Sequence, residues 1–154
     1  MLKALRVLSL GGALPLALSL ALAPCAFAQN QVLDAAAKEP GAEVFASGMV
    51  YRSLREGKGV SPTALDRVRV HYRGTFPDGR EFDGSYGGDP IDFPLGKVIK
   101  CWTAGLQKMK VGGKAKLTCP SSVAYGEKGA GDGEIPPNAT LLFEVELLAI
   151  NPVR

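Results

Sequence analysis

Three stretches of this chain alternate strictly between apolar and polar residues, and only one stretch beside them has a helical period. Val68, Val70 and Tyr72 share one face, while Arg67, Arg69, His71 and Arg73 share the other. Ala115, Leu117 and Cys119 alternate with Lys114, Lys116 and Thr118. Within Leu141–Ile150, Phe143, Val145 and Leu147 alternate with Glu144 and Glu146. A period of two marks strands with one buried face. Met49–Leu54 has the character of a further short strand. Pro77-Asp78-Gly79 has the turn chemistry to lead into another at Arg80–Asp83. Ile99, Trp102, Leu106 and Met109 recur at helical spacing, so Val98–Met109 is expected to be a helix, stopped by Val111-Gly112-Gly113. The fold class that follows is α+β: an antiparallel twisted sheet whose apolar face wraps one short helix.

Turn residues support many short elements, with 19 glycines and 11 prolines in 154 residues. Glu56-Gly57-Lys58-Gly59 and Ser61-Pro62 are two such sites. The length suits one domain. Some 105 residues from Met49 to the end suffice for one core. Residues 49–154 are therefore assigned to the domain. Gln29–Gly48 is assigned to a mobile tail, with a brief helical tendency at Val32–Lys38 that Pro40 and Gly41 end.

The first 28 residues have a different character. Lys3 and Arg6 form a basic start with no acid, and Val7–Ala23 is almost wholly apolar. Ala26-Phe27-Ala28 then supplies a small-x-small exit before polar Gln29. This pattern predicts export, cleavage after Ala28, and a periplasmic or secreted mature chain. Two alternatives compete: a lipid-modified Cys25, which Pro24 disfavours, and an uncleaved anchor, which Pro15 disfavours. With residues 1–28 removed, sixteen basic and fifteen acidic residues remain, a net of +1 against +3 for the whole chain. No basic stripe of the kind nucleic-acid binders carry is present, so that class is discarded.

Conventional catalytic groups are scarce. The single histidine, His71, lies on the polar face of a strand, with no acid assigned to position it. Cys101, Cys119 and one exposed histidine do not make a zinc site, and no metal or cofactor is expected. Gly87-Gly88 and Gly112-Gly113 do not match a phosphate loop. Aromatic residues instead gather at strand ends and beside turns: Tyr72, Phe82, Trp102, Tyr125 and Phe143. Each is either core or the lining of a pocket, and the residues alone leave both open.

Four separated runs in order, VHYRGTFPDGREFDGSY, LQKMKVGGKAKLTCP, AYGEKG and IPPNATLLFEVELL, resemble FKBP-type peptidyl-prolyl cis–trans isomerases. The resemblance covers about 100 residues from Met49 onward. It implies a half-barrel of five or six antiparallel strands around one short helix. It also implies an apolar pocket in which Tyr72, Phe82, Asp83, Tyr125 and Phe143 act on the substrate. Trp102 is its floor, and Val98, Ile99, Ile91 and Ile135 complete the binding surface. This sequence departs from the family pattern at the rim. Ile91 stands where an aromatic is common, Cys101 where glycine is common, and Gly87 where some relatives have arginine. The segment Val98–Trp102 is one residue shorter on its N-terminal side than in many relatives, and the loop Gly126–Glu134 is rich in glycine.

The activity implied is rotation about X–Pro bonds in exported polypeptides, and macrolide inhibitors are implied as competing ligands. Twisting the amide removes its resonance and its charge separation, so an apolar pocket favours the twisted form without nucleophile, metal or cofactor. The alternative function is a non-catalytic peptide-binding module or holdase. Cys101 on the helix and Cys119 on the adjoining strand either bridge or stay as two buried thiols. An oxidising compartment makes a disulfide the expectation. About twenty residues separate Gln29 from Met49, too few for the long helical dimerisation arm of some larger exported relatives. A monomer is therefore expected.

Overall fold

The computed structural model describes residues 24–153. Seven strands form one antiparallel sheet: β1 Ala42–Val44, β2 Val50–Arg55, β3 Arg67–Thr75, β4 Glu81–Gly84, β5 Ile91–Pro94, β6 Lys114–Cys119 and β7 Leu141–Ile150. Their order is β1-β2-β6-β7-β3-β4, with β5 also paired to β3. Two helices accompany them, α1 Pro24–Ala37 and α2 Lys100–Lys108.

The alternating stretches are the middle of this sheet. Along β7, Leu141, Phe143, Val145 and Leu147 are buried, while the intervening residues are half-exposed. β3 repeats the pattern with Val68, Val70 and Tyr72 inside. Register brings the two apolar rows together, Tyr72 opposite Val145 and Gly74 opposite Phe143. The polar rows meet on the outer face, where Arg55 pairs with Glu146 and Lys114 lies 3.8 Å from Glu144. A slip of one residue would turn every side chain to the other face, so this pairing fixes the register.

The helix α2 sits on the inner face through Cys101, Trp102, Gly105 and Leu106, all buried. Gly105 allows the close approach, since a Cβ there would lie 2.7 Å from a methyl of Leu117 on β6. Cys101 and Cys119 are joined by a disulfide with a Cα–Cα distance of 5.9 Å, and neither has any exposed surface. This tie links the first turn of α2 to the end of β6.

Several sequence expectations shift by a residue or two, as element ends do. The helix begins at Lys100 because Ile99 is extended (φ −56°, ψ 147°), and it ends one residue before Met109. The strands expected at Met49–Leu54 and Arg80–Asp83 run Val50–Arg55 and Glu81–Gly84. The five or six strands become seven through β1 and β5. β5 is held on β3 by a two-pronged pair of Arg69 with Asp92, at 2.7 and 3.0 Å.

The stretch Gln29–Gly48, expected to be a mobile tail, carries regular structure. Residues up to Ala37 are helical, Ala36 is buried against the domain, and Ala42–Val44 adds a strand to the sheet edge. The ordering has an electrostatic cause. The Glu39 carboxylate receives Arg52 at 2.8 Å and Lys116 at 2.9 Å, and the Arg52 guanidinium also donates to the Pro40 carbonyl. The alanine-rich end of α1 favours helix by propensity but shows no wide apolar stripe. The expected export segment, residues 1–28, lies outside the described residues except for its last five, which open α1. The expected cleavage point after Ala28 falls inside that helix.

The Lys116 ammonium holds the Glu39 carboxyl below its ordinary value of 4.5, aided by Arg52 and opposed by partial burial. A depressed folded-state pKa stabilises the fold fully above pH 4.5, and the contribution fades as pH falls through the lower folded value. Glu39→Gln is therefore expected to cost about 1 kcal/mol at pH 7 and little at pH 3. Urea denaturation at the two pH values checks this. Equal losses at both would remove the ion-pair explanation.

Candidate functional site

The inner face of the sheet does not close over α2 completely. At one end it leaves a cavity of about 270 Å³, lined mainly by aromatic rings. That volume is at the small end of ligand sites and suits one residue-sized group with its flanking amides.

Trp102 forms the bottom. It is the third residue of α2, 4% exposed, and three rings stand on it edge-on: Tyr72 at 5.2 Å, Phe93 at 5.5 Å and Phe143 at 5.5 Å between centroids. Phe82 from β4 stands edge-on to Phe143 at 5.7 Å. Edge-to-face packing is the favoured arrangement for aromatic pairs and fixes each ring against rotation. Gly74 makes room for the group, since a Cβ there would lie 2.6 Å from Phe82 and 3.0 Å from Phe143. The indole N–H of Trp102 is buried with no acceptor among the described residues.

One carboxylate enters this apolar setting. Asp83 Oδ2 accepts from the Tyr72 hydroxyl at 2.7 Å, and Oδ1 accepts from the Gly84 N–H at 2.9 Å. Those bonds fix the carboxylate at the cavity edge, where Asp83 itself is exposed. Burial first, then the Asp83 hydrogen bond, pushes the Tyr72 phenol above the usual range. Burial, then the Asp83 charge, pushes the Tyr125 phenol upward also. Both hydroxyls thus remain protonated donors throughout the neutral and mildly alkaline range. Tyr125 is 38% exposed at the rim, and its hydroxyl makes no hydrogen bond among the described residues.

A further part of the lining comes from Lys97, at the end of the short turn Leu95–Lys97, and the extended residues Val98 and Ile99 ahead of α2. The Ile99 carbonyl accepts from the N–H groups of Trp102 and Thr103 at 3.0 and 3.1 Å, which holds this wall against the helix. The Thr103 hydroxyl donates to the Leu95 carbonyl at 2.8 Å and secures it from behind. The Ile99 N–H has no acceptor among the described residues.

Tyr72, Phe82, Asp83, Val98, Ile99, Trp102, Tyr125 and Phe143 thus meet around one cavity. Two expected members do not. Ile91 is 38% exposed and outside the lining. Its place is taken by Phe93, two residues on along the same face of β5, which reaches both Trp102 and Tyr72. The first apolar residue after Pro90 is one strand period too early. Ile135 is also outside the lining. It is 7% exposed and exchanges two 3.0 Å backbone hydrogen bonds with Ala130, so it anchors the Gly126–Glu134 loop from within. Phe93 and Lys97 are lining residues that the sequence left unassigned. The Ile91-Asp92-Phe93 alternation carried a signal for the first, and nothing periodic marked the second. His71 is not an isolated surface residue either. It stacks on Tyr86 at 5.3 Å and bonds Ser85 Oγ at 3.0 Å, on the face away from the cavity.

Comparison with known proteins agrees with this architecture. Residues 58–148 match the family model described as FKBP-type peptidyl-prolyl cis-trans isomerase. The chain is 50% identical over 117 residues to the FKBP-type peptidyl-prolyl cis-trans isomerase FkpA of Escherichia coli, covering 75% of this chain and 43% of that protein. The crystal structure of FkpA from Escherichia coli superposes with a TM-score of 0.77 at 45% identity, over 82% of this chain and 59% of that one. A peptidyl-prolyl cis-trans isomerase from Pseudomonas syringae pv. tomato superposes with a TM-score of 0.76 at 40% identity, over 84% of this chain and 98% of that one. The chain spans under half the length of the Escherichia coli FkpA sequence it matches.

Proposed function

The chain belongs to the FKBP-type peptidyl-prolyl cis–trans isomerase family, and from that premise we propose that its aromatic cavity accelerates rotation about X–Pro bonds in exported polypeptides. The observation that carries this is the set of rings standing on Trp102 with one hydrogen-bonded carboxylate at the edge.

A planar X–Pro amide is stabilised by charge-separated resonance, and rotation faces a barrier of about 18–20 kcal/mol. Twisting removes the resonance and most of the separated charge. A dry, apolar site therefore costs the planar form more than the twisted one, and that difference is catalysis. The pyrrolidine ring lies on Trp102. The prolyl carbonyl accepts from the Ile99 N–H, and the Tyr125 hydroxyl donates to a second substrate carbonyl. Asp83, fixed by Tyr72 and Gly84, orients the amide as it turns. Every step is a conformational one, with no bond made or broken.

The site acts as a monomer on proline-containing polypeptides, and a macrolide that fills the cavity competes with them. The buried Cys101–Cys119 bridge suits an oxidising location, in keeping with export and cleavage after Ala28. The test is cis–trans exchange of a short Leu–Pro peptide, followed by NMR with and without purified protein. No acceleration over buffer would refute isomerisation. Need for stoichiometric protein in a proline-limited refolding reaction would point to a holdase instead.

The polar roles have their own test. Asp83→Ala deletes the acceptor of a charged hydrogen bond, worth about 1.5–3 kcal/mol, and is expected to lower kcat/KM about ten- to hundredfold. Tyr125→Phe removes one neutral donor and is expected to cost about two- to tenfold. Unchanged exchange rates in both folded variants would remove the roles given to these residues.

A further inference from the structure

The cavity carries one cation among its described lining residues, Lys97, and its one acid is already engaged. Lys97 closes the short turn Leu95–Lys97, so its backbone is fixed between buried Leu95 and the extended Val98. Its side chain is exposed and has no ion-pair or hydrogen-bond partner among the described residues. Lys97 lies outside the strands, whose basic residues are committed apart from Arg67. Arg52, Arg55, Arg69, Arg73, Lys114 and Lys116 all hold carboxylates. Lys97 is thus an unneutralised charge placed at the mouth of an apolar site.

Its position also has a direction. Asp83 and Tyr72 come from β4 and β3, while Lys97 lines the same cavity two residues before Ile99, in the segment that leads into α2. With the prolyl carbonyl held at the Ile99 N–H, the peptide leaves the cavity past residues 97–99. The residue that follows proline is the one that meets Lys97. We propose that Lys97 is a specificity-determining residue that selects polypeptides with an acidic side chain immediately after the proline. This rests on the isomerase function proposed above.

The effect is modest in size because the pair forms at an exposed rim. A surface ion pair corresponds to a preference of roughly two- to fivefold. It should weaken as salt shortens the reach of the charge.

The test uses the whole purified protein and three peptides, Ala-Leu-Pro-Xaa-Ala with Glu, Gln or Lys as Xaa. Exchange by NMR gives kcat/KM for each. The expected order is Glu above Gln above Lys, with the Glu-to-Gln ratio between two and five at low salt and near one in 1 M NaCl. Lys97→Gln should bring the ratio to about one, and Lys97→Glu should invert it. Lys100→Gln, one turn away on α2 and outside the cavity lining, should leave the ratio as it is. Equal rates for all three peptides, or a preference that survives Lys97→Gln, overturn the inference while leaving isomerisation intact. A preference lost in Lys100→Gln overturns it also, since the selection would then belong to a diffuse field. Acceleration of none of the peptides overturns isomerisation and this inference together.

Discussion

Trp102→Ala is expected to lower the unfolding free energy by about 3–5 kcal/mol, the usual cost of emptying a buried aromatic site. The residue is 4% exposed and touches three other rings edge-on, so the hole cannot close without moving all of them. The same substitution should abolish acceleration of X–Pro rotation, because Tyr72, Phe93 and Phe143 lose the surface that holds them upright. Two further measurements separate the effects. Trp102→Phe keeps an aromatic floor, and the indole N–H it deletes has no acceptor, so only volume is lost. Its stability cost is expected to be under half that of the alanine variant, with measurable activity retained. Trp102 is the single tryptophan, so unfolding is followed by far-ultraviolet circular dichroism rather than fluorescence. An alanine variant within about 1 kcal/mol of the parent would contradict the packing described.

Loss of the Cys101–Cys119 bridge is the second large effect. The bridge closes a loop with a sequence separation of 18 residues, which corresponds to about 3 kcal/mol of chain entropy removed from the unfolded state. Small domains have only about 5–15 kcal/mol in total. The double variant Cys101→Ala, Cys119→Ala should therefore unfold at a clearly lower urea midpoint. Both cysteines are wholly buried, so reductant alone should not open the bond in the folded protein. Reductant and denaturant together should reproduce the double variant's midpoint. If oxidised and reduced protein unfold at the same midpoint, the bridge contributes nothing to stability.

The sheet's interior was legible in the chain because its central strands bury mainly one face, with Thr118 at the end of β6 buried as well. β3, β6 and β7 alternate for six or more residues each, long enough for the period to stand out. α2 was legible for the same reason, through Trp102 and Leu106 at helical spacing. What escaped was short or held by charge. β1 has three residues, β5 has four with a proline, and α1 buries little beyond Ala36. Their order comes from Glu39, Arg52, Lys116, Arg69 and Asp92, pairs distant in sequence that no periodicity announces.

The cavity divides in the same way. Tyr72 and Phe143 lie on alternating strands, and their burial followed from pattern alone. Whether they lined a pocket or filled a core did not, and only family resemblance joined them to Asp83 and Tyr125. Resemblance also named Ile91 and Ile135, which lie outside the lining of this cavity, because it transfers positions without the local strand period. The Ile91-Asp92-Phe93 alternation hinted at Phe93, whereas Lys97 was not legible, since a rim residue is selected by where a turn points.

The placement of β7 has a consequence for how this protein comes into being. β7 follows every other described strand in the chain yet lies in the interior of the sheet, between β6 and β3. A chain made from its N-terminus therefore holds two unjoined half-sheets until β7 arrives. Each half presents open strand edges and an uncovered apolar face, the features that recruit other chains. Phe143 travels on that late strand, so no cavity exists before it either. Pairing of β7 with both neighbours therefore completes the sheet and the cavity in one event.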